Sequence, residues 1–224
     1  MATTTPTLRN QLKQETRQRL EQTALRLFAE QGYRETSIGQ IVDAAGTTRT
    51  TFYDHFRGKS DLIHVVQDRE IAPALSRLCE RLDSHDPITR AALRSWLDEY
   101  ARVWRRIRVY FDAYSEASRT DPAVAATIVP NSYAVTAHMR QFLGRFQGAE
   151  IATAHDQLVL LFNNLDQLMH VTTLVHDAAE SRRMHEAFTD LYWRGLFEPA
   201  MRASRPPSRA RVVKSRRGRP GSAH

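Results

Sequence analysis

The spacing of breaks between Gln31 and Lys59 constrains this chain more than any other feature. Gly32, Gly46 and Gly58 divide the stretch into segments too short to bury a core alone. Ile38, Ile41 and Val42 fall on one helical face of the first segment, and Phe52 and Phe56, four apart, fall on one face of the second. Upstream, Leu20, Ala24, Leu27 and Phe28 line a face of a segment ending in Leu27-Phe28-Ala29-Glu30. Two short helices joined by a tight turn need a third to cover them, and this upstream segment supplies it. The punctuation agrees. Thr36-Ser37-Ile38 opens the second helix with a hydroxyl cap, and Ala44-Ala45-Gly46 closes it. Gly46 reaches the positive φ of a sharp turn at little cost. Thr47 and Thr48 then offer a cap for the third helix. Residues 15–59 are therefore predicted to form a three-helix helix-turn-helix unit, preceded by a flexible N-terminus over 1–14.

Phe28, Phe52 and Phe56 belong to the core of such a unit. Arg49, Thr50, Thr51, Tyr53 and His55 are left on other faces of the third helix. Arg49 sits at its N-terminal end, where a helix lying in the major groove reads base edges, and its guanidinium suits guanine O6 and N7. Threonine hydroxyls, Tyr53 and Lys59 suit phosphate oxygens. The candidate DNA-facing set is Thr36, Ser37, Thr47, Thr48, Arg49, Thr50, Thr51, Tyr53, His55 and Lys59. Within it, Thr48 fits a helix cap as well as a DNA contact, and His55 fits a structural place or the phosphate edge. Tyr53 and Lys59 show no core role in the sequence.

The combined string Ala29-Glu30-Gln31-Gly32-Tyr33, Thr36-Ser37-Ile38, Ala45-Gly46, Thr51-Phe52-Tyr53-Asp54-His55-Phe56 and Lys59 resembles the DNA-binding domain of the TetR family of bacterial transcription regulators over residues 17–66. Thr47 stands where that family usually has a small apolar residue, and Thr50 where glycine is frequent. The resemblance implies phosphate-contacting roles for Thr36, Thr51, Tyr53 and Lys59. It also implies three helices for DNA, about six more for an effector and for dimerisation, and an effector pocket in the larger region.

The rest of the 224 residues also reads as helical, so the expected fold class is all-α: an N-terminal helix-turn-helix domain, then a larger helical ligand-binding and dimerisation domain over 60–203. A fourth helix is expected over about Ser60–Leu82, with Pro73 kinking or interrupting it. Further helices are expected near 87–105, 107–118, 122–147, 151–176 and 181–203, with a possible break at Pro130. The formal net charge is +7, but residues 1–60 carry +3, 61–204 carry −3, and 205–224 carry +7. Phosphate affinity therefore belongs to the first sixty residues and to the tail. Residues 204–224, rich in Pro, Arg, Ser and Gly, read as disordered. Arg217-Gly218-Arg219-Pro220 there resembles the core of a minor-groove AT-hook, although a solvated basic tail accounts for it as well. An alternative reading of the chain follows, a low-specificity architectural DNA binder that uses its basic tail.

Aromatic residues of the larger region suggest a pocket for a hydrophobic or aromatic small molecule. The candidate lining is Trp96, Tyr100, Trp104, Tyr114, Phe142, Asn163, Asn164 and Met169. Asn163, Asn164, Asp166 and Gln167 interrupt a leucine stripe, so one of these polar groups is expected to turn inward and need a partner: a ligand, another helix or a water. Leu161, Leu165, Leu168, Leu174, Phe188, Leu191, Tyr192, Leu196 and Phe197 exceed what one buried stripe needs. A homodimer through a four-helix contact would bury the surplus. The expected partners are thus a double-stranded DNA operator, a small-molecule effector and a second copy.

Other classes find little support. The histidines are scattered without metal-ligand spacing, and no nucleophile elbow or Gly-rich phosphate loop occurs, so neither an enzyme nor a metal or cofactor is expected. Cys79 is alone, no apolar run approaches a membrane span, and Met1–Thr7 lacks an apolar signal core. A cytoplasmic place without membrane association is expected.

Overall fold

The computed structural model describes residues 8–175 and 177–203, and every described element is helical. None of these helices is long and apolar enough to cross a membrane. The basic tail and its AT-hook-like segment lie outside the described residues, as does Met1–Thr7.

Helix α1 (Leu8–Gln31) begins well before residue 15, so residues 8–14 are helical rather than flexible. Leu8 to Arg19 hold no breaker and remain exposed except Thr16, so propensity rather than burial carries this part. Gly32, at φ +86°, stops α1 and accepts no side-chain strain there. Helix α2 (Ile38–Ala44) and α3 (Arg49–Tyr53) follow, then α4 (Lys59–Val66). Leu20, Phe28, Ile41, Phe52, Leu62 and Ile63 are fully buried in one core with Ala113, Ala117 and Val124 from further along the chain. The helix-turn-helix unit is thus built onto the larger region and shares a core with it.

Helix α4 runs through a π turn at Gln67–Ile71 into α5 (Ala72–Asp83). Pro73 explains the turn. It has no N–H to donate to Arg69, and its ring crowds that carbonyl, so the helix widens and Ala72 N–H bonds Gln67 O instead. A second π turn at Trp193–Phe197 stands in the same relation to Pro199.

Helix α6 (Arg90–Thr120) is a single 31-residue helix where two were expected. Arg105 and Arg106 between them are only its solvent face; the buried face runs on through Trp104, Ile107, Ala113 and Ala117. The helix expected over 122–147 is instead three: α7 (Pro122–Ala125), α8 (Ile128–Thr136) and α9 (Arg140–Leu143). Pro130 fits within α8 because its first turn leaves that N–H without a partner. The buried carboxylate of Asp83 accepts N–H bonds from Gln141 (2.7 Å) and Phe142 (2.8 Å), which anchors α9 to the end of α5. Helix α10 (Ala149–Leu174), α11 (Ala178–Tyr192) and α12 (Glu198–Ala203) complete the chain.

The larger core joins α5, α6, α8, α9, α10 and the second π turn. Leu161, Leu165, Leu196 and Phe197 are buried in it, so they are core of one chain and not surplus surface. Ile151, Leu160, Val171 and Leu174 on α10 and Leu191 on α11 are the large apolar residues left exposed on this pair among the described residues.

Candidate nucleic-acid interface and effector cavity

Local chemistry sets the helix-turn-helix geometry. Ser37, not Thr36, caps α2: its Oγ accepts Gln40 N–H at 3.2 Å while Gln40 Oε1 accepts Ser37 N–H at 2.7 Å. At the other end Gly46 takes φ +61°, donating to Asp43 O while Thr47 N–H donates to Val42 O, so the orphan carbonyls of α2 are satisfied as the chain turns. Thr48 caps α3 by accepting Thr51 N–H at 3.1 Å, and its hydroxyl also pairs with that of Thr51. Phe52 and Phe56 stack 5.5 Å apart and pin α3 to the core.

The ten candidate residues divide by where their polar groups point. Arg49, Thr50 and Tyr53 project outward, with Tyr53 58% exposed although it is aromatic. Ser37 and Thr48 are also exposed, and Thr47, Thr51 and His55 are half-buried on the same unit. Thr36 is different. It is fully buried, and its hydroxyl donates to Gly32 O at 2.7 Å while accepting from Gln31, so its side chain closes the loop after α1 rather than meeting a surface phosphate. Lys59 also turns inward. Its Nζ donates to the carbonyls of Tyr33 (2.6 Å) and Thr36 (2.8 Å) and lies 4.1 Å from the centre of the Tyr33 ring. Burial pulls its ammonium below the ordinary lysine value. Lys59 is a staple between α4 and the α1–α2 loop, a role its isolated position in the sequence does not reveal.

A basic residue of α1 joins this unit. Arg17 donates to His55 O at 3.1 Å and lies 4.6 Å over the Phe56 ring, so it fastens the end of α3 to α1. Burial, then the charges of Lys13 and Arg17, pull the His55 imidazole below its ordinary value and keep it neutral. An amphipathic pattern would have signalled these α1 residues, but the exposed first half of α1 has none.

A cavity of about 160 Å³ opens between α5, α6, α8, α10 and the first π turn. Tyr100, Tyr114 and Asn163 line it as expected. The other five expected residues do not. Trp96 donates Nε1–H to Leu78 O, Phe142 packs on Phe146 and Phe197, Met169 is buried in the core, and Asn164 donates to the Tyr192 hydroxyl at the surface. Trp104 sits behind the wall, where its Nε1–H donates to Asp166 Oδ1 at 2.8 Å. Gln67, Phe111, Ser115, Ser118, Asn131, Ser132, Phe162 and Asp166 complete the polar and aromatic lining, Asp166 being one of the four polar residues of which one was expected to turn inward. Most come from the π turn, α6 and α8, elements whose approach to one another is long-range. Burial, with Asp166 close by, pushes the Tyr100 hydroxyl well above the ordinary tyrosine range, so it is a neutral hydrogen-bonding group.

The family model of TetR bacterial regulatory proteins matches residues 22–66, the segment that carries both the α2–α3 turn and the Lys59 staple. Over this segment the chain is similar to the TetR family. The HTH-type transcriptional regulator AcrR of Shigella flexneri is 56% identical over 53 residues, 24% of this chain and 25% of that protein. The match therefore spans only a quarter of that relative's length. The probable acrEF/envCD operon repressor of Escherichia coli K12 is 28% identical over 188 residues, 79% of this chain and 80% of that protein. Among solved structures, a TetR-family regulator from Mesorhizobium loti aligns with a TM-score of 0.52 at 17% identity, covering 81% of this chain and 96% of that one. At that identity the likeness is one of fold. It places the TetR-type helix-turn-helix first and an all-helical region after it, as in this chain.

Proposed function

We propose that this protein is a DNA-binding transcription regulator, a repressor that holds an inverted-repeat operator as a homodimer and releases it on binding a small aromatic effector. The observation that carries this reading is the π turn at Gln67–Ile71. Gln67 and Ile71 form part of the cavity wall, and Arg69 between them pairs with Glu21 of α1. Glu21 in turn holds Arg17 at 2.9 Å, and Arg17 bonds the His55 carbonyl at the end of α3. Occupancy of the cavity and the position of α3 are thereby biased by one packed element. A ligand that prefers one arrangement lowers affinity for DNA in the other by linkage.

Arg49 is the residue for base readout, with Tyr53, Thr50, Thr51 and the helix N-terminal N–H groups on phosphates. Leu160, Val171, Leu174 and Leu191 are exposed on α10 and α11, and a second copy packed there would cover them. Two-fold symmetry would set the recognition helices roughly 34–36 Å apart, one turn of DNA. The name of the E. coli relative supports a repressor, and the family consists of regulators rather than enzymes. The test is a gel-shift titration with the DNA upstream of the protein's own gene, with and without small aromatic compounds. Retarded DNA that requires an inverted repeat and is released by a ligand is expected. A folded dimer that forms no specific complex at any salt concentration overturns the reading.

A further inference from the structure

We propose that the effector cavity selects a small cation, a single-ring amine whose ammonium group meets Asp166 while its ring lies among Tyr100, Phe111 and Phe162. The inference rests on the ligand-responsive reading above and specifies the chemistry of its site. The size of the site comes first. A cavity of about 160 Å³ matches the space of about 150 Å³ that accepts one benzene ring. The wall offers aromatic faces suited to a ring, with Tyr100 and Phe162 edge to face at 6.4 Å.

Charge decides the rest. Among the described residues, Asp166 is the one lining residue with a formal charge, and no described Lys or Arg lines the wall. Its Oδ1 is taken by Trp104, and among the described residues Oδ2 has His170 Nε2 near it, at 3.6 Å. His170 stands as far from Asp112, at 3.7 Å, and Arg108 serves Asp112 at 3.3 Å from outside the cavity. A carboxylate facing a largely apolar space is costly unless a cation joins it. Two further polar groups belong to the wall. Gln67, 7% exposed, and Tyr100, 1% exposed, bring an amide and a hydroxyl to it. An ammonium group donates to carboxylate, amide oxygen and hydroxyl together, and the ring faces add cation–π attraction. A carboxylate ligand would set a second negative charge beside Asp166, and a neutral arene would leave Asp166 Oδ2 without a cation of its own.

The test is calorimetric titration of the full-length protein near neutral pH with benzylamine, benzyl alcohol and benzoate, which share a ring and differ in charge. Benzylamine is expected to bind about ten- to a hundredfold more tightly than benzyl alcohol, with benzoate weaker still. Asp166→Asn keeps an Oδ1 acceptor for Trp104 and is expected to erase the preference for the amine. Equal or tighter binding of the alcohol or benzoate, no binding of any of the three, or an unchanged preference in Asp166→Asn overturns the proposal. The wild-type series decides alone should that variant fail to fold. A gel shift with the same compounds separates the two readings. Operator release by the alcohol or benzoate but not the amine leaves ligand response standing and removes the charge preference. Binding of the amine through Asp166 without operator release keeps the charge preference and removes the regulatory reading.

Discussion

Arg69 on the π turn and Glu21 in the middle of α1 form an ion pair that ties the cavity wall to the helix supporting α2 and α3. Glu21 is 3% exposed and also holds Arg17, so the carboxylate serves two cations from two different elements. Arg69→Ala is expected to cost about 1–2 kcal/mol, because Glu21 keeps Arg17 as a partner. The larger effect falls on coupling. In calorimetry and gel shift together, the variant should bind effector normally but need several-fold more of it to release DNA. An unchanged release curve would exclude this pair from the coupling.

Lys59 separates stability from DNA contact. Lys59→Met strands the carbonyls of Tyr33 and Thr36 beneath the α1–α2 loop and is expected to destabilise by about 2 kcal/mol in thermal unfolding. Tyr53→Phe removes an exposed hydroxyl and should leave stability unchanged while weakening all DNA sequences alike. A wild-type melting temperature for Lys59→Met would contradict the staple.

Gly39 makes room for the base-reading residue. A Cβ there would stand 3.1 Å from Arg49 Nη2. Gly39→Ala is expected to raise the helix propensity of α2 and leave folding intact, yet to weaken the operator complex by moving the guanidinium. Arg49→Ala should instead relax preference at one base position, read by a panel of single-base operator variants. Equal losses on every sequence would remove the readout role.

Acid stability follows from α6 and α11. Burial, then Arg94, lowers the His185 imidazole below its ordinary value of 6.5, so the native state holds it neutral. The unfolded chain therefore gains this proton first as pH falls. Stability is full above about 6.5 and declines below it until the native imidazole also titrates. Glu186 and Asp190, lowered by their hydrogen bonds to Arg90, add a second loss in the same direction below the ordinary carboxylate range. Melting temperature should fall from pH 7.5 to pH 5.5, and His185→Gln should flatten that slope. A slope identical in the variant would assign it elsewhere, with His55 the next candidate.

The apolar surface of α10 and α11 carries the dimer prediction. Leu160→Glu with Leu174→Glu should give a folded monomer in sedimentation and lose operator affinity far beyond a change at one half-site.

Residues within a few positions of one another determined the helix-turn-helix unit. Ser37 with Gln40, Gly46 with Val42 and Asp43, Thr48 with Thr51, and Phe52 with Phe56 all act across one helical turn, so their chemistry is legible in order along the chain. The all-helical class, too, follows from a periodicity that each segment carries by itself. Tertiary structure decided which polar groups face outward and what lines the cavity. Thr36 and Lys59 resemble surface residues in sequence, but the loop after α1 folds over them and supplies carbonyls as partners. Gln67, Asn131 and Asp166 meet only because a π turn, α8 and α10 converge, and Trp104 gives way to Asp166 as the cavity's polar feature for the same reason. Contacts between residues far apart in the chain depend on how helices pack, and a helix's own periodicity specifies its buried face without naming the neighbour that covers it.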